Sequence, residues 1–140
     1  MKEITVKAVT ENLDRVTDFA NAFMEELGCS MRNIMRIDVV IDEVFANVSG
    51  YAYAPGTGDF TLRLSIEEDP KRVQLSFIDS GIPFDPLQRE DPDTKLDAAH
   101  RRIGGLGIFV VKKTMDEVSY RYENGHNILT VAKYLDGGKS

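Results

Sequence analysis

The chain has 140 residues and a formal net charge of −6, with 42% hydrophobic and 29% charged residues, a composition typical of one ordinary globular domain spanning residues 1–140. The acidic balance argues against direct binding to nucleic acid or to an anionic membrane surface. The single cysteine, Cys29, excludes an intramolecular disulfide. The sequence has no apolar run long enough to span a membrane and no signal-peptide core, so we expect a cytoplasmic protein.

The first half of the chain predicts one strand and two helices. Alternation over residues 1–8 indicates a short strand at the edge of a sheet. Helical spacing of apolar residues begins near Asn12, and Gly28 ends this helix. Ser30 can cap a second helix, whose central stretch covers residues 37–53. Its apolar stripe, which must face a core, consists of Ile34, Ile37, Ile41, Val44 and Val48.

The second half predicts two hairpins separated by a lid and a helix. Residues 60–67 and 73–77 alternate cleanly, so that each segment has one buried and one wet face. Residues 118–122 predict a third strand, and an Asn-Gly turn at 124–127 leads into a last strand at 128–135. The charged, aperiodic stretch 86–103 is typical of a lid or binding loop, and the sequence GGLG at 104–107 opens an apolar helix. This order predicts an α+β fold, a two-layer α/β sandwich with helices on one face of a mostly antiparallel, mixed sheet.

The second helix carries a polar pair outside its apolar stripe. Glu43 and Asn47 are four residues apart and therefore share a face, about a third of a turn from the stripe. Val39 and Val40 flank this face, and a carboxylate and an amide are costly there unless a polar group docks on them. The helix alone favours a solvated Glu43 and an Asn47 that bonds locally, so a ligand needs support from other motifs.

A carboxylate and a glycine follow the hairpin. Asp79 ends a strand at the rim of the sheet, where its acceptor-only side chain suits the exocyclic amine of adenine and repels the carbonyl of guanine. Gly81 lacks a Cβ and lets a purine approach the backbone. An Asp-Ser-Gly turn without any ligand explains the same residues, and both interpretations stay open at this point.

Glycines precede the third predicted helix. Gly104, Gly105 and Gly107 leave backbone amides free at a helix N-terminus, where phosphate groups bind. Arg101 and Arg102, directly before them, can add positive charge at a terminal phosphate. A flexible hinge followed by a core helix is the alternative interpretation.

Three segments occur in a characteristic order: DEVFANVSGYAY at 42–53, DSGIPFDP at 79–86 and GGLGIFVVKKTMDEVSY at 104–120. Each is a weak signal alone, but a helix with Glu-x-x-x-Asn, a strand ending in Asp-x-Gly, a lid and a Gly-x-Gly helix start together resemble the GHKL ATPase superfamily. Within it, the small anti-sigma-factor serine/threonine kinases of bacterial partner-switching systems are most similar. The resemblance implies a histidine-kinase-like ATPase domain with a Bergerat-type ATP-binding fold.

The resemblance also implies roles for individual residues, with ATP and Mg²⁺ as cofactors. Asp79 and Gly81 would bind adenine, and Thr130 is similar to a threonine that supports this aspartate through water. Asn47 would coordinate Mg²⁺, and Glu43 would be the general base. The remaining nucleotide-binding residues would surround the phosphates: Arg101 or Arg102, Gly104, Gly105, Leu106 and Gly107.

By the same resemblance, we expect a kinase that phosphorylates a small anti-anti-sigma (STAS-type) protein and sequesters a sigma factor. The family relatives also suggest a homodimer. We expect no direct nucleic-acid partner and no membrane partner. The chain departs from the family at Gly50, where a bulkier or basic residue is common, and at Tyr51, where a histidine is frequent. A non-catalytic, nucleotide-dependent protein-binding module is therefore the alternative, and a structural domain without nucleotide is a third.

Overall fold

A computed structural model describes residues 1–53, 56–68, 71–88 and 105–135. Within these ranges the chain forms five strands and three α-helices, which we number in chain order. They are β1 Lys2–Lys7, α1 Leu13–Glu26, α2 Met31–Asn47, β2 Asp59–Glu67, β3 Arg72–Asp79, α3 Gly105–Thr114, β4 Glu117–Glu123 and β5 His126–Tyr134. The predicted elements are thus all present, with boundaries that differ by a few residues.

The strands form one sheet in the order β1-β2-β3-β5-β4. All four ladders between the described strands are antiparallel, and β1 lies at an edge as the sequence predicts. The lid, α3 and β4 lie between the neighbouring strands β3 and β5 in the chain, so residues far apart in sequence face each other. In its register Asp79 pairs with Asn127, and Ser76 pairs with Thr130.

The helices cover one face of this sheet. Alternate residues of the strands point into the core, for example Phe60 on β2 and Phe77 on β3. Phe45 of α2 meets the Phe60 ring edge to face, with centroids 4.9 Å apart. The other face is mostly polar and half-buried or exposed, with Thr61, Arg63, Ser65, Gln74, Ser76 and Thr130, but it also carries the apolar Ile78, Ile128 and Ala132. The α+β two-layer sandwich with helices on one face is therefore confirmed.

The central helix α2 has a capped start and a widened end. Ser30 caps it, since its Oγ accepts a hydrogen bond from the Asn33 amide at 3.1 Å. Beyond Asn47, the last turn widens into a π-helical turn, Val48–Ala52. Such wide turns often occur at functional sites. The buried residues of α2 include the whole predicted apolar stripe up to Val44, and Val48 continues it.

Part of the predicted lid lies outside the described residues. Only its start is described, as a short 3₁₀ turn at Pro86–Gln88. Residues 89–104 are not among those described. This range includes Arg101, Arg102 and Gly104. Among the helices that the structure describes, none combines the length and apolar character needed to cross a membrane.

Candidate functional site

The end of β3 holds a buried carboxylate. Asp79 is only 8% exposed, and its Oδ1 accepts two hydrogen bonds, from the Gly81 amide at 2.8 Å and from Asn127 Nδ2 at 2.9 Å. The two bonds use both lone pairs of that oxygen, and they anchor the carboxylate at the rim of the sheet. None of the described residues donates a hydrogen bond to the second oxygen, Oδ2. Oδ2 is therefore the atom that can accept a hydrogen bond from a ligand.

Asn127 on β5 completes a hydrogen-bonded group around this carboxylate. Its Nδ2 donates to Asp79 and also to the Ile82 carbonyl at 2.9 Å, while its Oδ1 accepts from the Phe84 amide at 3.1 Å and from the Tyr120 hydroxyl. Asn127 is 7% exposed. The group therefore ties together β3, β4, β5 and the loop that follows Asp79.

The C-terminal end of α2 packs directly on the same loop. The Ala52 carbonyl accepts a hydrogen bond from the Ile82 amide at 3.1 Å. A Cβ added to Gly81 would lie 2.3 Å from this carbonyl oxygen, so only glycine allows such a close approach. Gly81 is thus required by contact with α2, whatever it also offers a ligand.

Tyr53 also contacts the loop that follows Asp79, through its hydroxyl group. Its hydroxyl donates to the Asp59 carbonyl at 2.5 Å and accepts from the Ser80 amide at 2.7 Å. Burial raises the pKa of Tyr53, and the nearby charge of Asp79 raises it further, although the bond from Ser80 acts in the opposite direction. The phenol therefore stays protonated near neutral pH and keeps its donor to Asp59.

Glu43 and Asn47 lie on the helix that leads into this contact. Both side chains are half-buried and share one face of α2, while the neighbouring Asp42 is exposed. Asn47 is the last residue of α2, one turn before Ala52 meets Gly81. The helix thereby brings the predicted base and metal ligand to the end of the molecule that holds Asp79.

The described part of the glycine segment opens α3. Gly105 is its first residue and Gly107 lies in its first turn, so that backbone amides at this end lack helical partners. α3 packs against α2, the helix of Glu43 and Asn47. The roles assigned to Gly105, Leu106 and Gly107, and to Arg101, Arg102 and Gly104 outside the described residues, stay predictions.

Thr130 is not brought to Asp79. It is three residues from Asn127, so the two side chains lie on opposite faces of β5. The Thr130 hydroxyl instead lies 3.1 Å from Ser76 Oγ on the open face of the sheet. Asn127, directly opposite Asp79 in the ladder, takes the supporting position that the sequence analysis gave to Thr130.

The donor set fits an adenine nucleotide and a phosphate-bound Mg²⁺ ion. A carboxylate with one free oxygen at the rim is a partner for an exocyclic amine. In the described part of the chain, no group of three or more His, Cys, Asp or Glu residues can hold a metal ion. A metal at Asn47 would therefore draw most of its ligands from water and phosphate oxygens, as Mg²⁺ usually does.

Three residues of this site escaped the sequence analysis. Tyr53 and Tyr120 read as ordinary aromatic residues, and Asn127 as part of an Asn-Gly turn. No signal in the sequence marks Tyr53 or Tyr120. Asn127 is different, since a polar residue at a buried strand position requires a partner, and the pattern of β5 places it in line with Leu129 and Val131.

The sequence is similar to known proteins along most of its length. It matches the family described as histidine kinase-like ATPase domain over residues 6–133. It is 31% identical over 114 residues to the serine-protein kinase RsbW of Listeria monocytogenes serovar 1/2a, which covers 78% of this chain and 71% of that protein. It is 26% identical over 105 residues to the serine/threonine-protein kinase BtrW of Bordetella bronchiseptica, which covers 75% of this chain and 73% of that protein.

A solved structure has the same fold. The crystal structure of the RsbU and RsbW domains of a Mycobacterium tuberculosis protein superposes with a TM-score of 0.67 and 16% sequence identity. The match covers 96% of this chain and 33% of that one, so our chain spans about a third of the larger protein. At this identity the likeness concerns the fold.

Proposed function

The chain belongs to the histidine kinase-like ATPase family, in the GHKL group that contains the anti-sigma-factor serine kinases, and on this premise we propose that it is an ATP- and Mg²⁺-dependent serine/threonine protein kinase. Its protein substrate would be a small anti-anti-sigma (STAS-type) protein. In its other state the kinase would bind and sequester a sigma factor. The observation that carries the proposal is the anchored carboxylate of Asp79 beside the end of the Glu43–Asn47 helix.

Each residue of the proposed site would have one chemical role. Asp79 Oδ2 accepts a hydrogen bond from the adenine amine, and the amides at the start of α3 face the phosphates. Asn47 Oδ1 would hold a Mg²⁺ ion, which would neutralise part of the phosphate charge. The partner's serine or threonine oxygen would bond to the γ-phosphorus as the bond from that phosphorus to the β-phosphate oxygen breaks, with ADP as the leaving group. Glu43 would accept the proton of that hydroxyl.

The surface of α2 supports a protein partner. Met31, Met35 and Val39 recur every four residues and are exposed, so they form an apolar stripe on the helix that also carries Glu43. Exposed apolar patches of this kind are commonly covered by another protein. The net charge of −6 supports the absence of a direct nucleic-acid partner.

The experiment that tests the proposal is transfer of labelled phosphate from ATP to a candidate anti-anti-sigma protein in the presence of Mg²⁺. We expect phosphoserine or phosphothreonine on the partner. Replacing Glu43 by Ala should lower the transfer rate by about 10²–10⁴-fold while ATP affinity changes little, because a general base acts on the hydroxyl and not on nucleotide binding.

The matched control is Asp42→Ala, which removes the neighbouring exposed carboxylate of the same helix. It should keep the wild-type transfer rate. Tight ATP binding without any transfer would replace the kinase by a nucleotide-dependent binding module. A wild-type chain that binds no ATP would end both.

A further inference from the structure

We propose that Asn127 is a positioning residue that determines adenine selectivity, because it fixes which oxygen of Asp79 faces the ligand. The proposal rests on the proposed ATP binding. It concerns a residue at a turn-adjacent strand position that carries no role in the sequence motifs.

The orientation of the Asn127 amide is determined by its neighbours. Two donors, the Phe84 amide and the Tyr120 hydroxyl, lie against one end of the side chain. Two acceptors, Asp79 Oδ1 and the Ile82 carbonyl, lie against the other end. Rotating the amide by half a turn would bring donor against donor at the Phe84 amide, and acceptor against acceptor at Asp79 and at the Ile82 carbonyl. The Tyr120 hydroxyl can donate or accept, so these other three contacts are the ones that keep the nitrogen facing Asp79.

This orientation has a consequence for Asp79. With Asn127 Nδ2 and the Gly81 amide both on Oδ1, that oxygen has no lone pair left for a ligand. The carboxylate cannot turn without breaking two bonds in a site where it is nearly buried. Oδ2 is thus presented as a fixed acceptor, which rewards a purine with an amine and penalises one with a carbonyl or with hydrogen at the same position.

Tyr120 supports the arrangement from β4. Its hydroxyl donates to Asn127 Oδ1, and burial, together with the charges of Asp85 and Asp79, raises the pKa of the phenol, while the bond at Phe84 acts in the opposite direction. The donor is therefore present throughout the neutral pH range. It adds a second, more peripheral position at which the same chain of hydrogen bonds can be interrupted.

Calorimetric titration of the full chain with two magnesium nucleotides tests the inference. One is ATP, and the other is the triphosphate of purine riboside, which lacks the exocyclic amine. Asn127→Leu keeps the branched shape of the side chain and removes all four hydrogen bonds. We expect its ATP affinity to fall about tenfold and its affinity for the amine-free nucleotide to change little, so that the preference for ATP disappears.

Two further variants keep the test decisive. Tyr120→Phe removes one hydroxyl and should lower ATP affinity severalfold, again without an equal loss for the amine-free nucleotide. If thermal unfolding shows that Asn127→Leu is misfolded, the result for Tyr120→Phe tests the inference in its place. Ser76→Ala, on the open face of the same strand pair, also removes one hydroxyl contact and should change neither affinity.

An equal loss for both nucleotides in the folded variants would show that Asn127 only supports the fold, and would overturn the inference. Unchanged ATP affinity would overturn it as well. A wild-type chain that binds neither nucleotide would instead overturn the proposed function, so the two failures are distinguishable.

Discussion

At the residue scale, the contact between Gly81 and Ala52 joins the loop after Asp79, where we propose that adenine binds, to the helix of Glu43 and Asn47. The absent side chain of Gly81 lets the Ala52 carbonyl accept from the Ile82 amide at 3.1 Å. Here the close neighbour is backbone, which cannot rotate away as a side chain can. The position is therefore intolerant of even one methyl group.

We predict that Gly81→Ala separates the loop from α2. The new Cβ would lie 2.3 Å from the Ala52 oxygen and 2.7 Å from its Cβ, so the backbone must shift, at a cost of about 1–3 kcal/mol for overpacking. Both the thermal unfolding midpoint and the affinity for MgATP should fall.

The control is Gly50→Ala in the π-helical turn, where an added Cβ meets no atom within 4 Å. Its unfolding midpoint should stay close to that of the wild type. A Gly81→Ala protein with wild-type stability and affinity would contradict the packing argument.

At the scale of elements, α1 and α2 are joined by a polar contact within their interface. Asn21 Nδ2 donates to Asp38 Oδ1 at 2.6 Å and also to the Thr17 carbonyl at 2.9 Å. Burial raises the pKa of Asp38, and the charges of Asp42 and Asp18 add to this, while the bond from Asn21 opposes it. The ionised carboxylate is thus a cost to the folded state near neutral pH.

The sign of the pH effect follows from this direction. Because folding raises the pKa of Asp38, its contribution to stability is present below its ordinary pKa of 3.8 and is lost as the pH rises through the raised value. Asp38→Asn keeps the acceptor for Asn21 and removes the charge. We predict a higher unfolding midpoint than the wild type at pH 7, by a few degrees at most, and no difference below pH 3.8.

Glu25→Gln, an exposed position on α1, is the control and should shift the midpoint little at either pH. If Asp38→Asn lowers the midpoint at pH 7, the ionised form is stabilising and the sign of the argument is wrong.

At the scale of the whole molecule, charge decides how a nucleotide can be held. A formal net charge of −6 repels a triphosphate, and the described residues provide no cluster of metal ligands. Under the proposed function, attraction would come from local donors and from a metal ion that arrives with the phosphates. We therefore expect ATP binding to depend on Mg²⁺ in a way that binding to a basic phosphate-binding surface would not.

We predict that chelation of Mg²⁺ by EDTA lowers ATP affinity by about tenfold or more in the wild type. Asn47→Ala should bind ATP weakly with Mg²⁺ and lose little more when the metal is removed, because its metal ligand is already absent. Calorimetry with and without EDTA measures both effects.

Asp42→Asn changes the net charge by one unit on the same helix and should retain the full Mg²⁺ effect, which distinguishes a ligand from a general charge effect. An Asn47→Ala protein with the same Mg²⁺ dependence as the wild type would assign the metal to other residues.

The sequence by itself determined the elements and the layer arrangement of this protein. The stripe of α2, its Ser30 cap and the alternation of β2 and β3 express local rules, namely side-chain periodicity and the hydrogen-bonding needs of a helix end. Those rules act within a few residues, so they can be read along the chain. Residue chemistry marked Glu43, Asn47 and Asp79 as candidates, but their roles came from the resemblance of the three ordered segments to the GHKL ATPase superfamily and stay predictions.

Only the tertiary structure decided which residues complete the site. The sequence analysis placed Thr130 beside Asp79, whereas the ladder between β3 and β5 puts Asn127 there, 48 residues away in sequence. Strand periodicity groups the residues of one face, but the register between two strands depends on how their faces pack against the helices. The contact of Ala52 with Gly81 arises in the same way, because packing between elements fixes it.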